Sequence, residues 1–143
     1  MKKIILCMLL ISTGIILHAR TVTEREVPVL VKYAFYQDYP EAYHVKWEIT
    51  KLHDYKASFR INNDYGNSYY NEKGEFIESD ITIQWTEVPF TGRMELYHLN
   101  KAGHITSVLK IVNNKQEIFY LVGLKRGLKL YEILLDKDGN LMI

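Results

Sequence analysis

Two of the chain's three prolines follow a valine, at Val27-Pro28 and Val88-Pro89, and 61 positions separate them. Each pair opens a stretch with helical spacing. In the first, Val27, Leu30, Val31, Ala34 and Phe35 recur at three- and four-residue intervals and fall on one face. Pro28 suits a first helical position, where the missing N–H costs nothing. Thr23 and Glu26 have the spacing of a capping box, and Tyr39-Pro40 ends the helix. In the second, Val88, Phe90, Met94 and Tyr97 make a weaker stripe interrupted by Gly92, and Asn100 to Gly103 closes it.

Strand-like runs follow each helix. Val45-Lys46-Trp47-Glu48-Ile49 alternates apolar and polar with period two, and Ile105 to Ile111 is its counterpart at an offset of 60. Tyr55-Lys56-Ala57-Ser58-Phe59-Arg60-Ile61 is the cleanest strand, matched by Tyr120 to Leu124 at an offset of 65. The same 65 relates Asn71 to Asp136, Gly74 to Gly139 and Phe76 to Leu141. One insertion around Asn113 to Gln116 accounts for the change of offset. Ile81, Ile83 and Trp85 alternate as a further strand between the halves. The expected fold class is α+β: a tandem repeat of one helix plus three to four antiparallel strands, over about 23–80 and 81–143. One such unit of about 60 residues is marginal alone, whereas two can extend one sheet and share a core.

Residues 1–19 stand apart from this pattern. Lys2 and Lys3 precede an apolar run from Ile4 to Leu17, and Ala19 offers a small residue for cleavage. This is the layout of a secretory signal peptide. The run falls short of the ~20 residues that span a bilayer, so an uncleaved anchor is the weaker reading. Cys7 lies near the start of the run, not at its end, where a lipid-bearing cysteine would stand. Cleavage after Ala19 leaves 124 residues with 16 basic and 17 acidic side chains and no cysteine. Disulfides, thiol catalysis and cysteine-ligated zinc are then excluded. The near-balance of charge argues against nucleic acid or an anionic membrane surface as the main partner. The expected location is periplasmic or secreted, with no stable membrane insertion.

Few residues invite chemistry. Asp136-Lys137-Asp138-Gly139-Asn140 hints at a calcium loop, but its glycine stands fourth, not sixth, and the twelfth-position Glu is missing. A hairpin turn is the better reading. His44, His53, His98 and His104 form no close metal-ligand pair. Ser58, Ser68, Ser79 and Ser107 lie in strand or turn contexts, none in a G-x-S-x-G elbow. Lys125-Arg126-Gly127-Leu128-Lys129 reads as a solvated turn between strands. No catalytic, cofactor or metal site is expected.

The segments VPVLVKYAFYQDYPEAYHVKWE, YKASFRI and NEKGEF resemble the PepSY-like domain of secreted Bacteroidetes proteins, a family similar to β-lactamase inhibitory protein. Pro28, Tyr39-Pro40, Val45 to Glu48 and the Asp136 to Gly139 turn carry the likeness. The second half lacks the Tyr-Pro helix end and a tryptophan in its first strand. The resemblance implies helices on one face of a curved antiparallel sheet whose other face is open. On that arrangement Tyr55, Ala57, Phe59 and Ile61 face the helix while Lys56, Ser58 and Arg60 face outward. The 65-residue offset sends Tyr120, Val122 and Leu124 inward, and Phe119 and Leu121 outward.

An apolar patch rimmed by charge is what an interaction surface requires. The leading expectation is a non-enzymatic binding protein whose open sheet face engages an envelope protein, with enzyme inhibition as one form of that role. The expected contact residues are Glu48, Lys56, Arg60, Tyr69, Phe119 and Leu121. A small-ligand or sensory module is the alternative and requires a deep apolar cavity between helix and sheet. A hydrolase requires a buried cluster of His with Ser or Asp.

Overall fold

The computed structural model describes residues 19–99 and 103–142. The signal-peptide reading, apart from Ala19, therefore lies outside the described residues. Eight strands form one sheet in sequence order, every neighbour antiparallel. They are β1 (Arg20–Val22), β2 (Tyr43–Ile49), β3 (Tyr55–Ile61), β4 (Asp64–Tyr70), β5 (Phe76–Thr82), β6 (His104–Asn113), β7 (Ile118–Arg126) and β8 (Lys129–Leu135). Helix α1 (Val29–Asp38) precedes β2, and α2 (Phe90–Leu99) precedes β6.

Each helix enters through a short 3-10 turn, Glu24–Glu26 and Trp85–Glu87. The Glu26 carboxylate accepts from the Thr23 N–H and hydroxyl at 2.8 and 2.9 Å, and Glu87 accepts from the Gln84 N–H at 2.9 Å. These bonds satisfy donors that a helix entry leaves free. Tyr39 terminates α1, because the proline after it disfavours helical backbone.

Both helices cover the same face. Beneath α1, Val31 and Phe35 meet Val22, Trp47, Ala57, Phe59 and Tyr70. The Phe35 ring lies 5.2 Å from Trp47 and 5.1 Å from Phe59, both edge-on, the favoured aromatic geometry. Beneath α2, Val88 and Leu96 meet Val108, Val122, Leu124 and Leu135. The inward set of β3 is Tyr55, Ala57, Phe59 and Ile61, and that of β7 includes Tyr120, Val122 and Leu124, as strand parity requires.

The turns are built locally. The side-chain oxygen of Asn71 accepts from the N–H groups of Lys73 and Glu75. Asn113 does the same for Lys115 and Glu117, and Asp136 for Asp138 and Asn140. Such Asx bonds are why these residue types recur at turns. Asp136 thereby uses its carboxylate within its own hairpin.

Several sequence expectations need correction. The buried residues of α2 are Gly92 and Leu96, with Val88 buried just ahead of the helix, whereas Phe90 and Tyr97 are about 70% exposed and Met94 is also exposed. Gly92 sits where the helix meets Leu135 and Gly139, so backbone contact replaces the side chain that a hydropathy pattern needs. Leu30 is exposed, and the α1 contact face centres on Val31 and Phe35. The 60-residue offset would set Ser107 in the place of Trp47. Ser107 is exposed and Val108 is the buried residue, beside a bulge between Ile105 and Ser107. Trp85 belongs to the 3-10 turn, because β5 ends at Thr82.

Candidate partner-binding face

The face opposite the helices is ordered by strand register. Glu48, Lys56, Tyr69 and Glu78 stand in one row across β2 to β5. Lys56 Nζ lies 3.4 Å from Glu48 Oε2, with both side chains about one-third exposed or less. Burial raises the Tyr69 phenol above its ordinary range, and the carboxylates of Asp80, Glu78 and Glu48 reinforce it. Tyr69 therefore stays neutral, a large amphipathic side chain among acids.

The next row runs Lys46, Ser58, Asn67, Asp80, Ile111 and Phe119. Ser58 Oγ donates to Asn67 Oδ1 at 2.7 Å, and Asn67 Nδ2 donates to Asp80 Oδ1 at 2.8 Å. This ladder ties three strands together on their uncovered side. Arg60 pairs with Tyr65 across β3 and β4: Nη2 donates to the phenol at 2.6 Å, and the guanidinium carbon lies 4.3 Å from the ring centroid. A groove of about 610 Å³ lies beside them, lined by His44, Lys46, Ser58, Arg60, Tyr65 and Asn67.

Beyond β5 the chemistry changes. Leu109, Leu121 and Leu134 stand opposite one another on β6, β7 and β8, with Phe119 opposite Ile111. All five are half-buried and none belongs to the core beneath α2. The six expected contact residues thus share one face but form three groups. Glu48, Lys56 and Tyr69 are direct neighbours, Arg60 binds Tyr65, and Phe119 and Leu121 join the apolar half.

The helix side offers less for chemistry. Buried Ser68 and Ser79 stand opposite each other near Tyr39 and Tyr70, and Tyr70 donates to Asp38 at 2.8 Å. Their company is phenolic and carboxylic, from Tyr39, Tyr70 and Asp38. The nearby recess, about 270 Å³, is lined by Asp38, Tyr39, Phe76, Ser79, Val112 and Gln116. Its lining is half polar, from Asp38, Ser79 and Gln116, and half apolar or aromatic, from Tyr39, Phe76 and Val112, and a second recess of about 420 Å³ between α2 and the sheet is lined by Trp85, Arg93, Leu96, Tyr97, Ile105 and Leu124. Among the described residues, no group of three or more His, Cys, Asp or Glu side chains could hold a metal ion, and no helix is long and apolar enough to cross a membrane.

No family model and no curated protein matches the chain. Solved structures do. A Bacteroides eggerthii protein described as periplasmic superposes with TM-score 0.73 at 17% identity, covering 82% of this chain and 86% of that one. A DUF2874 family protein from Bacteroides uniformis gives 0.72 at 19%, covering 81% and 86%. A BLIP-like protein from Bacteroides fragilis gives 0.70 at 14%, covering 80% and 82%. The shared property is the fold. It is the α+β architecture of one open antiparallel sheet and two helices, similar to that of the BLIP-like protein.

Sequence reading missed Asn67, Asp80, Glu78 and Tyr65. The segment Asp64 to Tyr70 contains Gly, Asn and Ser, residues poor in β-propensity, and does not read as a strand. Leu109 and Ile111 were readable by parity once Val108 was known to point inward. Leu134 required the register of β8.

Proposed function

We propose that this chain is a secreted or periplasmic non-enzymatic binding protein that engages a protein partner through the open sheet face. The observation that carries this reading is the division of that face at β5. Leu109, Ile111, Phe119, Leu121 and Leu134 make an apolar patch, and Glu48, Lys56, Tyr69 and the Ser58–Asn67–Asp80 ladder make a fixed polar surface beside it. Such a surface has an apolar centre to desolvate and polar groups to set register. Aromatic and arginine anchors, here Tyr69, Phe119 and Arg60, are the residue types that dominate binding energy. Occlusion of an envelope enzyme is the finer form of this role, in keeping with the BLIP-like fold.

The same reading takes residues 1–19 as the export signal and the remainder as a PepSY-like tandem repeat. Supporting the repeat are the matched entries at Thr23–Glu26 and Gln84–Glu87, and the Asx turns at Asn71 and Asp136. Gly74 and Gly139 also follow those turns at φ 80° and 89°.

The test is capture from envelope extract by immobilised protein. Phe119→Asp and Leu121→Ser are expected to lose the partner while circular dichroism stays native. Tyr33→Ser, on the exposed side of α1, is expected to retain it. Retention by both face variants, or their unfolding, would overturn the assignment.

A further inference from the structure

The edge of β8 is only partly covered. β5 runs along β4 from Tyr70 to Gly66. On β8 the returning chain covers one end alone: Leu141 bridges Leu135, and the Met142 N–H donates to the Leu134 carbonyl at 2.9 Å. Leu134 therefore turns its backbone polar groups away from β7. In an antiparallel ladder this alternates, so Glu132 and Leu130 do the same. Among the described residues these groups meet no strand. Beside them Leu128 is fully exposed, Leu130 is 72% exposed and Tyr131 is 46% exposed. An open edge carrying apolar side chains is a template for strand addition.

Charge selects the strand. Lys125 and Arg126 at the end of β7 and Lys129 at the start of β8 gather at one end of this edge and make no ion pair among the described residues; Glu132 and, in the hairpin after β8, Asp136 and the Asp138–Lys137 pair leave the other end net acidic. An antiparallel neighbour must therefore be acidic at one end and basic at the other. A second copy turned about a two-fold axis normal to the sheet has that polarity. We propose that the protein pairs with a second copy of itself along β8, with Leu130 opposite Glu132 and Tyr131 meeting Tyr131 at the axis. This register uses both the N–H and C=O groups of Leu130 and Glu132 in each copy. It stops at Ile133, where Leu141 and Met142 begin to occupy the edge. The axis keeps both open faces on one side, so the two apolar halves become one continuous surface. The pairing is read out by mass and stands apart from partner capture.

The chain expressed from its full sequence in a Cys7→Ser background tests it. At a non-hydrogen-bonded pair the Cα atoms are about 4.5 Å apart, within disulfide range. Tyr131→Cys is expected to give a disulfide-linked dimer on mild oxidation, and Leu128→Cys far less. In sedimentation, the protein without added cysteines is expected to shift between one and two copies over about a hundredfold range of concentration. Leu130→Pro keeps the pairing to β7, since that N–H points outward, and removes an intermolecular donor. It and Glu132→Lys are each expected to weaken the dimer at least about tenfold. A single mass of one copy throughout, a dimer indifferent to both variants, or a Tyr131→Cys chain that links to another protein instead of itself would overturn the proposal.

Discussion

Gly139 rests backbone to backbone on Gly92: a Cβ added at Gly139 would stand 2.5 Å from the Gly92 nitrogen. Gly139 also has φ 89°, where a side chain is strained whatever the space. The hairpin after β8 is thus keyed to the first turn of α2, and the helix sits closer than any side chain would permit. Gly139→Ala is expected to destabilise by about 2–4 kcal/mol, combining strain with overpacking. Gly92→Ala should cost less, about 1–2 kcal/mol, because its helical backbone carries no φ strain and its Cβ would stand 3.0 Å from the Gly139 carbonyl oxygen, with the Leu135 Cδ1 tip the one contact below that at 2.7 Å. Gly74→Ala repeats the test against α1, where the Leu30 carbonyl oxygen would lie at 2.6 Å. Denaturant midpoints at constant slope measure all three. Equal stability of the Gly139 variant would contradict the contact.

The second helix gives a contrast within one element. Leu96 is 2% exposed and closes the core of Val108, Val122 and Leu135, so Leu96→Ala is expected to cost about 2–4 kcal/mol. Phe90→Ser and Tyr97→Ser remove larger apolar groups from the same helix, yet should stay within about 0.5 kcal/mol because water already surrounds them. The opposite order would restore the apolar stripe as the packing face.

How far the chain could be read from its residues follows from these two cases. Period-two alternation placed β3 and the inward side of β7 correctly, because there each inward residue is apolar and each turn is polar. Helical spacing failed on α2, where the decisive residue is a glycine and the apolar side chains point into solvent. Alternation failed at β6, where one bulge shifts parity and exchanges Ser107 for Val108. Strand parity put Glu48, Lys56, Arg60, Phe119 and Leu121 on the uncovered side, with Tyr69 as the outward one of two neighbouring tyrosines. Asn67 and Asp80 stayed hidden, since their roles arise only when register sets Ser58, Asn67 and Asp80 in line.

That ladder makes its own prediction. Asn67 is the middle member, accepting from Ser58 and donating to Asp80, so Asn67→Ala removes both bonds at once. All three residues are half-buried and water can replace part of what is lost. The expected cost is about 1–2 kcal/mol. Adding Ser58→Ala to Asn67→Ala should cost less than the two changes measured separately, because the shared bond is already gone. Strict additivity in that cycle would show that Ser58 and Asn67 do not interact.

Titration of Tyr70 sets the alkaline limit of the fold. Burial raises its phenol well above the ordinary value of 10.0, and the Asp38 carboxylate that accepts its proton reinforces the shift. A raised folded-state pKa adds stability that is complete below pH about 10 and is lost as pH climbs towards the folded value, since only the unfolded chain ionises easily. Glu26 and Asp136 act with the opposite sign. Thr23 hydrogen bonds, then Arg20, hold Glu26 below 4.5, and Asn140 chiefly holds Asp136 below 3.8. Their contribution is present above those values and fades as pH falls through the folded ones. Both lie at the surface, Glu26 exposed and Asp136 partly so, and the acid limb should therefore be shallow and salt-sensitive. Stability against denaturant is therefore expected to be flat from about pH 5 to 10 and to fall more steeply on the alkaline side. Tyr70→Phe should be less stable at neutral pH, through loss of the Asp38 bond, and should show a flatter alkaline limb. The limb would persist in part, because Tyr39 and Tyr69 are raised by burial as well. An alkaline limb unchanged by Tyr70→Phe would remove Tyr70 as its source.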